Sequence, residues 1–187
     1  MKKIGGYHAD KDNGWPIGSI WEHEGQKIYD IVKKQKPEIV VEIGAHYGCS
    51  TTWIATALLE NKKGKLISID DGSMGSELWS LVPENLKKVI EFKKQDCFKI
   101  KVPENIDILF EDGSHLPGFT EKVLKRFKAK TVIVHDYGHF IIGPIIQQDF
   151  KKVLGDPDEV VKIDHQHNCG LAIKYVRSRN RRNAKNK

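Results

Sequence analysis

Residues 38–50 read Glu38-Ile39-Val40-Val41-Glu42-Ile43-Gly44-Ala45-His46-Tyr47-Gly48-Cys49-Ser50. The first six form a short, continuous apolar and β-branched run, the pattern of a strand buried on both faces of a parallel sheet. Gly44 and Gly48 allow the backbone to turn closely past a ligand. From Ser50 to Leu59 an apolar helix follows, opened by hydroxyl residues. Strand, glycine turn and helix N-terminus in that order start a βαβ unit and present backbone N–H groups to a ligand. The loop is not GxGxxG and lacks the lysine of a phosphate-binding P-loop, which argues against a nucleoside triphosphate. Its bland reading is a tight turn between strand and helix.

Outward from this stretch the alternation continues. Upstream, Ile28, Ile31 and Val32 fall at helical spacing from Glu24, and Lys33, Lys34 and Lys36 suit a helix C-terminus before Pro37. Downstream, strands are predicted at Lys65–Asp70, Ile90–Lys94 (more exposed), Ile106–Glu111 and Thr131–His135, with helices at Glu77–Val82, Pro83–Val89 and Phe119–Phe127. Two last runs, Glu159–Ile163 and Gly170–Val176, read as a hairpin that adds an antiparallel strand. The expected class is α/β: a Rossmann-like, doubly wound, mainly parallel seven-stranded sheet with a C-terminal antiparallel hairpin. Residues 1–23 read as an arm or lid, 24–176 as one ligand-binding domain, and 177–187 as a disordered basic tail.

In an open parallel sheet the ligand lies beyond the carboxyl ends of the strands, so the residues directly after each strand carry the chemistry. They are the Gly44–Ser50 loop, Asp70, Asp96-Cys97, Asp112-Gly113-Ser114-His115, and His135-Asp136-Tyr137. Asp70 is placed to accept hydrogen bonds from a ribose diol; alternatively it caps the next helix with Asp71, and Asp96 is an ordinary turn acid.

This set, Glu42-x-Gly44-xxx-Gly48-x-Ser50, Asp70, Asp96-Cys97, Asp112–His115 and Val134–Tyr137, resembles the class I S-adenosylmethionine-dependent methyltransferases, closest to the branch holding catechol-type and sugar O-methyltransferases. The resemblance spans about Glu24 to Val176. It implies that the cofactor's amino-acid part lies over Gly44, Ala45, His46 and Gly48, with Glu42 and Ser50 helping to hold its ammonium and carboxylate. It further implies Asp70 at the ribose, Asp96 and Cys97 at the adenine, and Asp112 beside the sulfonium.

Methyl transfer to a hydroxyl needs alignment and removal of a proton. His115 is the leading base, because an imidazole titrates near neutral pH; its bland reading is a loop histidine bonded to backbone. In metal-dependent relatives a divalent ion bridges acids after strands four and five, which correspond to Asp112 and Asp136, and oxygen ligands suit Mg²⁺. The departure is His135-Asp136-Tyr137 where the catechol-type pattern has Asp-Asn, which leaves metal dependence open. His165-x-His167-x-Cys169 suggests a soft metal cluster, but it lacks a fourth ligand and reads first as a polar hairpin turn.

Composition narrows the classes. The 187 residues suffice for one domain that buries roughly 70% of its unfolded surface. No apolar run is long enough for a membrane span or signal peptide, so a cytoplasmic protein is expected. Cys49, Cys97 and Cys169 are odd in number and contain no CxxC, against a disulfide framework. The net charge of +6 equals the six cations of the tail, so the remainder is balanced and nucleic acid enters only as a partner of the tail. The expected acceptor is a small molecule or sugar, recognised by Tyr7, Trp15, Trp21 and the segment 139–144. No inserted substrate domain is evident, which leaves the acceptor site open or completed by a partner subunit in a homo-oligomer. The rivals are a nucleic-acid methyltransferase, disfavoured because no Asn-Pro-Pro-Tyr-like or Pro-Cys signature follows strand four, and a non-catalytic cofactor-binding protein.

Overall fold

Each apolar run pairs with its neighbours because successive side chains of a strand point to opposite faces, and a run apolar at every position is stable only between two layers. The computed structural model describes residues 20–74, 77–161 and 170–176. Its strands are β1 (Ile39–Ile43), β2 (Lys65–Asp70), β3 (Ile90–Lys94), β4 (Ile106–Glu111), β5 (Ala129–Val134), β6 (Glu159–Val161) and β7 (Leu171–Tyr175), in the order β3-β2-β1-β4-β5-β7-β6. The first five are parallel, and β7 pairs antiparallel with both β5 and β6. The doubly wound sheet with its closing hairpin is therefore present as expected. β3 lies at an edge, which explains its mixed polar character.

The helices are α1 (Glu22–Gln35), α2 (Cys49–Asn61), α3 (Phe119–Arg126) and α4 (Gly143–Leu154). Val40, Leu66, Ile108 and Ile133 face one core with α1 and α2, around Ile28, Val32, Trp53 and Leu58. Their chain neighbours Val41, Ile67, Leu109 and Val132 face the other core with α3 and α4, around Val123, Phe127, Ile146 and Phe150.

Two expectations change. Residues 77–82 form turns rather than a helix, because their backbone bonds go elsewhere: the N–H of Trp79 donates to His46 O (2.9 Å) and that of Leu81 to Tyr47 O (3.3 Å). The segment thus docks on the Gly44–Gly48 loop, and only Glu84–Val89 winds, as a 3-10 helix. Helix α4 was not anticipated. Its signals were Pro144 in the first turn, the buried pair Ile146 and Phe150 one turn apart, and Gly155 after the end. The arm before Ile20, the tail after Val176 and the His165-x-His167-x-Cys169 group lie outside the described residues.

Candidate functional site

The parallel register sets the site. Ile43 lies opposite both Ile69 and Glu111, Asp70 opposite Lys94, and Glu111 opposite Val134. The ladder continues one residue further, through Gly44 N–H to Ile69 O (2.9 Å), Asp112 N–H to Ile43 O (2.9 Å) and His135 N–H to Glu111 O (3.0 Å). Gly44, Asp70, Asp112 and His135 therefore stand in one row across the sheet. After β3 the chain crosses to β4 on the far side of β1, so the crevice opens between β1 and β4. A cavity of about 470 Å³ lies there, lined by the loops after β1, β2, β3, β4 and β5.

The loop after β1 is held from below and from the side. Glu42 is fully buried and accepts hydrogen bonds from the hydroxyls of Ser50 (2.6 Å), Thr51 (2.7 Å) and Ser68 (2.5 Å). Burial pushes its carboxyl up to about 7, against the pull of those hydroxyls. Glu42 thus supports the loop, whereas Ser50 reaches the cavity wall. Asp70 accepts from the N–H groups of Ala45 and His46 at 2.9 Å on one oxygen and from Gly72 at 2.8 Å on the other. A carboxylate offers about four acceptor sites, so one remains for a ligand. Asp70 is consequently a clamp on the loop as well as part of the wall, not the helix cap considered from sequence. Replacing Asp70 by alanine is expected to lower stability by about 1–3 kcal/mol, the usual cost of donors left without an acceptor. Urea unfolding measures this, and a loss below about 0.5 kcal/mol, typical of a neutral surface change, would show the loop held by Gly44 alone.

At the far end, Asp96 and Cys97 line the cavity after β3. Asp96 also accepts from Phe98 N–H (2.8 Å), and burial pushes the Cys97 thiol up to about 12, so it is an inert wall group.

At the opposite end, Asp112, His115 and Asp136 offer ligand atoms within 4.8 Å of one another. His115 Nε2 lies 3.1 Å from Asp136 Oδ2. That hydrogen bond holds the imidazole above its ordinary pKa, with burial opposing and the charges of Asp136, Asp112 and Glu111 adding. Asp136 has φ 54°, a left-handed conformation costly for a side-chain-bearing residue, and His139 N–H on its carbonyl (3.0 Å) helps to fix it.

Between these groups lies an ionic chain that sequence reading missed. His135 is buried, with Nδ1 3.0 Å from Asp112 Oδ1 and 3.4 Å from Asp136 Oδ2, and Nε2 3.2 Å from Glu24 Oε2. Burial disfavours its charge, but Asp112, Glu24 and Asp136 outweigh burial and hold it well above the usual histidine range. Burial likewise raises Asp112, with His135 opposing. Glu24 ends below the usual carboxylate range: burial pushes it up, and His135 with two backbone N–H groups more than compensates. No motif could have revealed Glu24, which lies 111 residues from its partner.

The family model described as "Methyltransferase domain" matches residues 41–142, more than half of the chain and the part that carries nearly all of this wall. The chain belongs to that family. Its fold is that of the class I S-adenosylmethionine-dependent methyltransferases, as three solved structures illustrate. The O-methyltransferase TomG from Streptomyces achromogenes, solved with SAM, is 16% identical and aligns over 89% of this chain and 86% of its own, with a TM-score of 0.64. The Bacillus cereus O-methyltransferase solved with SAH is 16% identical over 84% and 83% of the two chains, with a TM-score of 0.67. The tRNA (m1A58) methyltransferase TrmI from Aquifex aeolicus is 18% identical over 92% and 79%, with a TM-score of 0.64. At such identities the likeness is one of fold, and that fold is shared by an O-methyltransferase involved in tomaymycin synthesis and a tRNA methyltransferase. No curated protein matches the sequence.

Proposed function

We propose that this methyltransferase binds S-adenosylmethionine in the β1–β4 crevice and methylates a hydroxyl of a small, largely apolar acceptor. One observation carries the cofactor assignment: among the described residues the cavity wall contains five aspartates (Asp70, Asp71, Asp96, Asp112 and Asp136) and no lysine or arginine. Such a lining suits a ligand bearing a sulfonium and an ammonium group and repels the phosphates of NAD or ATP. About 470 Å³ is within the usual range for a cofactor pocket. The Gly44–Ser50 loop, Asp70, and Asp96 with Cys97 would hold its amino-acid, ribose and adenine parts, and Asp112 would lie at its methyl end. When bound, the cofactor supplies a methyl group on a positively charged sulfur.

The residues of the chain supply alignment and proton removal. A carboxylate only accepts, so His115 donates from Nε2 to Asp136 and takes the acceptor's proton at Nδ1. Asp136 orients the ring and stabilises the imidazolium that forms, as the carboxylate of a catalytic triad does. On the acceptor side, Leu116 and Phe140 are each 70% exposed and Ile141 64%, on the loops that follow β4 and β5. Exposed apolar groups on the loops that carry His115 and Asp136 suit a largely apolar acceptor.

A second reading rests on the same three side chains. Asp112, His115 and Asp136 could hold a divalent ion, which would lower the pKa of the acceptor hydroxyl. With an imidazole beside two carboxylates the set extends beyond Mg²⁺ to softer ions such as Mn²⁺ or Fe²⁺.

The test is a melting experiment. SAM or SAH at a hundred times its Kd is expected to stabilise the protein by about 2.7 kcal/mol, with no shift from NAD or ATP. Equal shifts from all four, or none from SAM and SAH, would remove the assignment. Label transfer from SAM to aryl alcohols, sugars and tRNA in parallel then tests the acceptor, and transfer confined to tRNA would replace it.

A further inference from the structure

We propose that Glu24 is a positioning residue that acts through His135 to fix the carboxylate of Asp112 at the methyl-transfer end of the cavity. The inference rests on the assignment of that end above. Its physical basis is a rigid side-chain chain running from the first turn of α1, through the end of β5, to the loop after β4.

Both oxygens of Glu24 are committed. Oε2 accepts from Trp21 N–H (2.9 Å) and faces His135 Nε2 (3.2 Å), while Oε1 accepts from Gly170 N–H (2.8 Å). The carboxylate is thus gripped by the start of α1, the residue before β7 and the residue after β5, and it is fully buried. His135 is held at both ring nitrogens, by Glu24 on one side and Asp112 on the other, so the ring cannot turn without losing both bonds. Asp112 Oδ1 in turn receives Nδ1 at 3.0 Å, which fixes one of its two oxygens and leaves the other for the reacting centre.

A helix cap alone does not account for this arrangement. Capping α1 requires only the Trp21 N–H bond, which a carboxylate could make at the surface. Burying the acid against an imidazole adds little net stability, because desolvation of the two groups offsets much of their attraction. What the arrangement adds is geometry: without the acceptor at Nε2, His135 can rotate, and Asp112 loses the donor that selects its rotamer. Catalytic groups need to be held within about 0.5 Å of their working positions; at metal sites, partners one bond removed from a ligand are worth about 10- to 100-fold in affinity or activity, and a loss of that order is expected for the partner of Asp112.

The experiment uses the full chain with Glu24→Gln. Glutamine keeps the shape of the side chain and a single acceptor oxygen; with that oxygen on Gly170 N–H, its amide NH2 stands in place of Oε2 and accepts from neither His135 nor Trp21 N–H. Crystal structures of the wild-type protein and the variant, each without ligand and with SAH, are compared at Asp112, and SAH affinity is measured by calorimetry. The expected result is a displaced or two-state Asp112 carboxylate with SAH affinity changed less than about 3-fold. Methyl transfer to any acceptor found above should show kcat lowered about 10- to 100-fold and an unchanged KM for SAM. If Glu24→Gln does not fold, Glu24→Asp, which keeps the charge but withdraws the carboxylate by one methylene from His135 Nε2, must displace Asp112 alike. An Asp112 carboxylate that stays within about 0.5 Å of its wild-type position overturns the proposal and leaves Glu24 a buried cap. Absence of SAH binding to the wild-type protein would instead remove the cofactor assignment, while the ligand-free comparison would still decide the role of Glu24.

Discussion

Replacing His115 by alanine is expected to lower methyl transfer about 10²- to 10⁴-fold, the range for loss of a general base, with SAM affinity unchanged. The size of the effect follows from geometry: among the described residues lining the acceptor end, His115 pairs an imidazole at the cavity wall with a carboxylate that orients it. The pH dependence has a definite sign. The ring acts only when neutral, and the hydrogen bond to Asp136 raises its pKa. The rate should therefore climb with pH through a midpoint above the ordinary histidine value of about 6.5. Asp136→Asn removes the main raising influence and should move that midpoint down, and His115→Ala should abolish the limb. Metal-based activation gives a different pattern, since chelation would stop the reaction and a divalent ion would restore it. Full activity in His115→Ala after exhaustive chelation would sink both mechanisms and leave alignment of an already nucleophilic acceptor.

The same residues show where sequence reading succeeds. Val40 and Val41, Leu66 and Ile67, and Ile108 and Leu109 must be apolar in pairs because the two faces of each strand meet different cores. Continuous apolar runs therefore announced the strands, and the doubly wound rule announced which loops would converge. Gly44, Ala45, His46, Ser50, Asp70, Asp96 with Cys97, Asp112, His115 and Asp136 do line one cavity, whereas Gly48 lies behind its wall. What stayed illegible is the set of bonds made across the sheet. Glu42 reads as the acid of a ligand loop, yet its oxygens are committed to hydroxyls from α2 and β2. Asp70 reads as a ribose acceptor, yet it first satisfies two N–H groups of the loop after β1. Local pattern cannot report such partners, because they are set by strand order and register rather than by neighbours in the chain. Residues 77–82 failed for the same reason: the donors of Trp79 and Leu81 are spent on His46 and Tyr47 instead of on a helix.

Alanine at Gly44 is expected to cost the fold about 2–5 kcal/mol and to abolish measurable SAM binding, whereas alanine at Gly118 should cost only about 1–2 kcal/mol, the strain of one left-handed residue. The two positions share a positive φ, 82° and 79°, so the comparison separates strain from space. A Cβ at Gly118 meets nothing within 4 Å, but at Gly44 it would lie 2.0 Å from the carbonyl oxygen of Asp112 and 2.6 Å from its carbonyl carbon. That obstacle is backbone, and it is pinned: Asp112 N–H bonds to Ile43 O and Gly44 N–H to Ile69 O, each at 2.9 Å. Neither strand can yield without breaking the ladder between β1 and its two neighbours, so overpacking of about 1–3 kcal/mol adds to the conformational strain. The forced separation would move Asp112 away from the loop it faces, and the crevice between β1 and β4 would lose its shape at the point assigned to the cofactor's amino-acid part. Urea unfolding and SAM calorimetry on the two variants measure both effects. Equal destabilisation at the two sites would mean that φ alone governs Gly44, and intact SAM affinity in Gly44→Ala would place the cofactor away from the β1–β4 crevice.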